Sequence, residues 1–217
     1  RMFIPAEGCV LVDADYSQIE LRLLAHISGD PAMQAAFTSG QDIHSATAAQ
    51  VFHVTPEDVT HEMRRRAKAV NFGIVYGISA FSLSQDIGVS VAEAKAYMDA
   101  YFATFPGVRR YMDAVVEQAR ETGYVETLFH RRRDLPELSS SNRNLRAFGE
   151  RVALNMPIQG TAADIMKLAM IAVWKGLRET IPEARLVLQV HDELIVECPE
   201  EKAAAVAQLL TEKMEHV

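Results

Sequence analysis

The sequence predicts an α+β fold, with a small antiparallel sheet backed by packed helices and a mainly helical segment inserted between the strands. Three observations predict it. Apolar runs of strand character lie near the two ends of the chain, at Cys9–Val12, Leu186–Val190 and Glu193–Val196. Helical spacing dominates the residues between them. With 217 residues and 49% hydrophobic content, the chain can bury a core in one domain or two small ones.

Each element has a local reason. Cys9 to Asp15 reads as a strand, and from Gln18 the spacing becomes helical through Ile19, Leu23 and Ile27 until Gly29-Asp30-Pro31 interrupts it. A helical segment surrounds His44 to Phe52, and Thr55-Pro56-Glu57-Asp58 offers a cap, a first-turn proline and an acidic third position for the next helix. His61 to Tyr76 is basic and then apolar, ending at Gly77. Ser90-Val91-Ala92-Glu93 is a capping box whose helix stops at Pro106-Gly107, and Val108, Tyr111, Met112, Val115, Val116 and Ala119 form an apolar stripe before Gly123.

Residues 124–142 read as an irregular basic loop. One helix is then expected to run to Asn155 before Pro157, and another to start at Thr161 as its cap, with Asp164 at the third position. Two β-rich runs flank His191-Asp192 at the spacing of a two-residue turn, although these residues suit such a turn poorly, which invites a functional explanation. Pro199 opens a last amphipathic helix through Ala203, Val206, Leu210 and Met214. Residues 31–127 therefore form the helical insertion between 1–30 and 128–217.

The net charge of −7 argues against a polyanionic partner only on average, because the basic residues cluster at Arg64-Arg65-Arg66, Arg131-Arg132-Arg133, Arg143, Arg146 and Arg151. Two cysteines in strand-like contexts, Cys9 and Cys198, suggest free thiols and a reducing compartment rather than a disulfide framework. The sequence shows no signal peptide and no apolar run of membrane-spanning length, so a soluble, cytoplasmic protein is expected.

The candidate chemistry lies in three constellations. Asp15 and Asp192 stand at the ends of apolar strands, rigid mounts from which carboxylates reach solvent where a hard cation such as Mg²⁺ needs oxygen ligands. Alone, Asp15 would read as a helix cap. Two carboxylates within ~4 Å repel by roughly 4 kcal/mol at an effective dielectric of about 20, so their meeting would imply cations. Arg64, Lys68, Phe72 and Tyr76 recur every four residues and share one broad helix face, on which two cations suit a triphosphate and two aromatics a sugar and base. The plainer alternative is a solvated basic turn joined to a core stripe. Arg151, Asn155 and Gln159 have the same spacing and can donate to the near-uniform acceptors of a DNA minor groove, or simply cap the chain around Pro157. His44 and His191 carry little signal by themselves.

These motifs, Asp15 through Arg22, Arg64 through Gly77, Gln159 through Asp164, and Gln189 through Glu193, resemble in order and spacing those of family A DNA polymerases. The resemblance spans essentially the whole chain. It implies a palm from residues 1–30 and 128–217 and fingers from 31–127. It also implies two Mg²⁺ ions held by Asp15 and Asp192, with the Tyr16 carbonyl assisting and Glu193 nearby. By the same likeness Glu20 is the gate that excludes a ribose 2′-hydroxyl, and Gln18, His44, Arg64 and Lys68 contact the incoming deoxynucleoside triphosphate. Lys68 is the candidate proton donor to pyrophosphate. Phe72 and Tyr76 lie beside the sugar and nascent pair, and Arg151, Asn155, Gln159 and His191 touch primer-template DNA.

The resemblance places a thumb and nuclease regions before Arg1 and a short segment after Val217, so weak duplex grip and poor activity are expected of this piece, acting as a monomer. Two rival readings are a non-catalytic nucleic-acid binding module, in which the aspartates merely cap turns, and a single-subunit RNA polymerase, against which Glu20 argues.

Overall fold

The computed structural model describes residues 3–217 and shows an α+β fold. In chain order the elements are β1 (Cys9–Asp15), α1 (Ile19–Ser28), α2 (Pro31–Thr38), α3 (Ile43–Phe52), α4 (His61–Val75), α5 (Ala80–Ile87), α6 (Val91–Thr104) and α7 (Pro106–Thr122). They continue with β2 (Tyr124–Glu126), β3 (Arg132–Asp134), α8 (Arg143–Thr180), β4 (Arg185–Val190), β5 (Glu193–Pro199) and α9 (Ala203–Glu215). The chain divides into two compact units, one from the N-terminal segment to Ile19 with Ala162–Val217, the other Glu20–Thr161.

The first unit is built on an antiparallel sheet in the order β1-β5-β4. Alternation along β1 and β5 sends Val10, Val12, Ala14, Leu194, Val196 and Cys198 into a core completed by Ala169 and Val173 of α8 and by Val206 and Leu210 of α9. Fully buried branched side chains such as Leu194 and Val196 are worth about 1.5–3 kcal/mol each against exposure. The same period of two leaves Asp13 and Asp15 on the opposite face. There the register sets Asp15 directly across from Glu193. The β4-β5 hairpin closes through His191 and Asp192, because Val190 pairs with Glu193.

In the second unit, helices cover one another around buried side chains including Met33, Ile43, Ile74, Leu83 and Tyr101. Capping explains several of its boundaries. Ser90 and Glu93 form the reciprocal box that opens α6, and Asp42 and Thr60 cap α3 and α4. Asp30 serves two helices at once: Oδ1 accepts from Met33 N at 2.9 Å to cap α2, and Oδ2 accepts from Gly107 N at 2.7 Å in the first turn of α7. This carboxylate is wholly buried. Gly107 is required there because a Cβ would lie 2.9 Å from the Asp30 Cα.

Three expectations are corrected. Pro157 does not end a helix, and Thr161 does not start one: α8 runs without interruption for 38 residues. Ala153, Pro157, Ile158 and Thr161 are all buried, and this packing offsets the roughly 3 kcal/mol penalty of an internal proline. The Thr161 hydroxyl instead donates to the Pro157 carbonyl at 2.5 Å and accepts from Leu128 N at 3.0 Å. Thr55 opens only a single 3₁₀ turn, Pro56–Asp58, since its hydroxyl bonds the Asp58 side chain and Thr60 captures the helix start. Within 124–142 the chain forms a short hairpin, β2 with β3, in which Arg132 lies 3.7 Å from the Tyr124 ring centroid.

Replacing Gly107 with Ala should destabilise the protein by about 1–3 kcal/mol through overpacking against the Asp30 backbone. Denaturant melts are the check, and an unchanged midpoint would show that α7 can shift freely.

Candidate active site

The first unit carries an acidic tip. Asp15 ends β1, Asp192 is the second residue of the hairpin turn, and Tyr16 N donates to the Asp192 carbonyl at 3.1 Å, tying the two segments together. The Asp15 and Asp192 carboxyls lie near enough for each to act on the other's charge. Burial at the strand end pushes the Asp15 carboxyl above its ordinary range, and the charges of Asp192 and Asp13 push the same way. Two carboxylates brought near one another repel unless a proton or a cation stands between them.

Among the described residues no three His, Cys, Asp or Glu side chains converge into a fuller ligand set. That donor chemistry fits Mg²⁺, which binds through one or two carboxylates and takes its other oxygens from water and phosphate. Glu193 is half-buried beside the pair in register. The Tyr16 hydroxyl donates to the Met214 carbonyl at 2.6 Å, anchoring the residue after Asp15 to α9. His191 and Gln18 both adopt left-handed backbone, at φ 53° and 57°, a strained conformation for side chains of this type. Gln189 Nε2 donates to the His191 carbonyl at 2.6 Å, which holds the turn.

The second unit carries the basic and aromatic face of α4. Arg64 pairs with Asp42, Nε to Oδ2 at 2.8 Å and Nη2 to Oδ1 at 3.1 Å. Lys68 is exposed, with its ammonium 6.0 Å from the centroid of the Phe72 ring. Phe72 and Tyr76 lie nearly parallel, centroids 6.4 Å apart, and the Tyr76 hydroxyl donates to Glu20 Oε2 at 2.7 Å. His44, from α3, sits 5.7 Å from Phe72 and is buried.

Its orientation comes from Asn71, which the sequence did not single out. Thr47 Oγ1 donates to Asn71 Oδ1 at 3.1 Å, so the Asn71 amide nitrogen, 3.0 Å from His44 Nδ1, is the donor there. The His44 proton is thereby assigned to Nε2. Burial lowers the His44 pKa, Asp42 opposes that, and Arg64 and Lys68 reinforce it, so the ring is neutral at pH 7.

Arg151 joins this face. With Phe72, Tyr76 and Gly77 it lines a cleft of about 460 Å³ that also takes in Ser79, Ser82 and Asp86. Gly77, at φ 66°, passes so near α8 that a Cβ would lie 3.0 Å from Leu154 and 3.5 Å from the Arg151 side chain. Because α8 is continuous, Arg151, Asn155 and Gln159 do share a face. Arg151 and Gln159 are exposed, and among the described residues the buried Asn155 Oδ1 has no hydrogen-bond partner. Asp42 and Asn71 were invisible as site residues because a cap and a helix amide carry no distinctive spacing.

Comparisons with known proteins place the chain in a family. All residues 1–217 match DNA polymerase family A, and the chain belongs to that family. It is 55% identical over 216 residues to DNA polymerase I of Geobacillus stearothermophilus, covering 99% of this chain and 25% of that protein. The DNA polymerase I of Deinococcus radiodurans is 55% identical over 215 residues, 99% of this chain and 22% of that protein. Among solved structures, the POL domain of Pol1 from M. smegmatis in complex with DNA primer-template and dNTP superposes with a TM-score of 0.93 at 49% identity, covering 98% of this chain and 38% of that one. The chain thus spans about a quarter of the length of these curated relatives. No helix among the described residues is long and apolar enough to cross a membrane.

His44 gives a pH prediction. The unfolded chain takes up a proton near pH 6.5 that buried His44 resists, so stability present above that value is lost as the pH falls below it. Urea unfolding at pH 7.5 and 5.5 should show this loss, and His44→Gln should reduce it; an identical pH dependence in the variant would remove His44 as a source.

Proposed function

We propose that this chain is the palm and fingers part of a cytoplasmic, template-directed DNA polymerase that joins deoxynucleotides to a primer 3′-hydroxyl. The closeness of the Asp15 and Asp192 carboxyls at the sheet tip, where Tyr16 N donates to the Asp192 carbonyl at 3.1 Å, carries the reading. A binding module whose aspartates merely capped turns would have no reason to tolerate that repulsion. The POL domain that this chain resembles is itself in complex with DNA primer-template and dNTP, which supports the same partners here.

On this reading Asp15 and Asp192 hold two Mg²⁺ ions, with Glu193 adding negative charge beside them. When bound, the metals lower the pKa of the attacking hydroxyl and neutralise charge on the leaving oxygen. Arg64 and Lys68 bind the triphosphate, and Lys68 delivers a proton to departing pyrophosphate. His44, neutral with its proton on Nε2, can donate a hydrogen bond to a phosphate oxygen without being charged. Gln18 assists at the nucleotide.

Phe72 and Tyr76 offer flat apolar surface to the sugar and base. On this reading Glu20, which accepts from the Tyr76 hydroxyl, is the gate that excludes a ribose 2′-hydroxyl. Arg151, Asn155 and Gln159 on α8, and His191 at the hairpin, contact the primer-template.

Two measurements test this in the natural full-length protein. Asp192→Asn should abolish primer extension, by 10³-fold or more on the order of magnitude set by charge-stabilising groups, while the melting temperature holds or rises because a repulsion is removed. Extension at the normal rate would end the metal assignment. Glu20→Ala should admit ribonucleotides in a side-by-side incorporation assay, and unchanged sugar preference would sink the gate role.

A further inference from the structure

Asp42 is the least expected member of the nucleotide face, a carboxylate standing among cations that are proposed to bind an anion. Its two oxygens are fully used. Oδ2 accepts from Ser45 N at 2.9 Å and from Ser45 Oγ at 2.7 Å, capping α3, and also from Arg64 Nε at 2.8 Å. Oδ1 accepts from Arg64 Nη2 at 3.1 Å. These donors hold the carboxyl far below the usual carboxylate range, against a burial effect that opposes them.

We infer that Asp42 is a positioning residue for triphosphate binding: it grips the Nε and Nη2 edge of Arg64 so that the guanidinium is held in place with its Nη1 edge left for phosphate. The inference rests on the reading of Arg64 as a triphosphate contact and goes beyond it by assigning the group that aims it. Three observations carry it. The pair is bidentate, the geometry in which a planar fork fixes orientation as well as distance. The carboxylate is anchored through Ser45 independently of Arg64, so it is a mount rather than a loose counter-ion. The Arg64 side chain keeps 42% of its surface exposed, and its bonds to Asp42 run through Nε and Nη2, not Nη1.

Asp42 also begins the helix that carries His44, two residues on. The Thr47–Asn71–His44 chain of hydrogen bonds ties that helix to α4. One cap therefore sets the positions of Arg64 and His44 together. An arginine free to sample its rotamers would lose more conformational entropy on meeting the ligand, which is the cost that Asp42 removes in advance.

The opposite role is physically reasonable and has the opposite sign. If Asp42 competed with phosphate for Arg64, neutralising it would tighten nucleotide binding. The test is calorimetric binding of Mg²⁺·dATP, with dAMP as the probe lacking the β- and γ-phosphates, to the natural full-length protein and to Asp42→Asn, Arg64→Ala, the double variant and Arg64→Lys. Asparagine caps a helix as well as aspartate does, so α3 retains its start. Lysine keeps the charge and loses the fork.

The expected result is that Asp42→Asn weakens Mg²⁺·dATP binding roughly five- to tenfold, the low end of coupling between interacting sites, although it removes a negative charge. dAMP binding stays as it was, Arg64→Lys behaves similarly, and Asp42→Asn adds nothing in the Arg64→Ala background. Unchanged or tighter binding by Asp42→Asn, with Arg64→Ala still weakened, overturns the inference and leaves the triphosphate reading standing. Equal weakening with or without Arg64 overturns it in favour of a general packing effect. If Arg64→Ala binds as wild type, the assignment of Arg64 fails and the inference with it.

Discussion

The closeness of the Asp15 and Asp192 carboxyls is the constraint on which the acidic tip depends. Left to themselves the groups would separate, yet Asp15 is fixed by its β1 register opposite Glu193, and Asp192 by the two-residue turn and the Tyr16 amide that bonds its carbonyl. The sheet that enforces this is held from behind by Leu194, Val196 and the apolar faces of α8 and α9. Hydrophobic burial on one face thus holds like charges together on the other, and the strained left-handed backbone at His191 belongs to the same arrangement.

The helical unit solves a related problem with different means. Its cationic and aromatic side chains lie in one row on α4 because of helical period alone, but their orientations come from partners outside that helix. Asp42 holds Arg64, Asn71 and Thr47 hold His44, and Tyr76 is tied to Glu20. Each tie places a polar group where a floppy side chain would otherwise have to be ordered by its ligand. Gly77 then lets the end of α4 approach α8 near Arg151.

Polar satisfaction within the fold itself is economical in the same way. Asp30 closes two helix starts with one buried carboxylate, and Thr161 both accepts from the Thr127–Leu128 corner and donates to the carbonyl of Pro157. These side chains link segments far apart in sequence, which is why each is buried despite being polar.

Much of the fold was legible in the chain because period and capping are local properties. The β1 run, the Ser90 to Glu93 box, the stripe of α7 and the two-residue spacing around His191-Asp192 each correspond to an observed element. So was membership of family A, since the ordered motifs are carried by residue identity and spacing alone. The continuity of α8 through Pro157 was not legible, because local rules count the missing N–H and the clash but not the burial that offsets them. Nor could sequence show that Asp15 and Asp192 come near one another, or that Asp42 and Asn71 orient the cation and the histidine. Those relations join residues many positions apart, and only a packed tertiary structure brings such groups within the few ångströms over which hydrogen bonds and charges act.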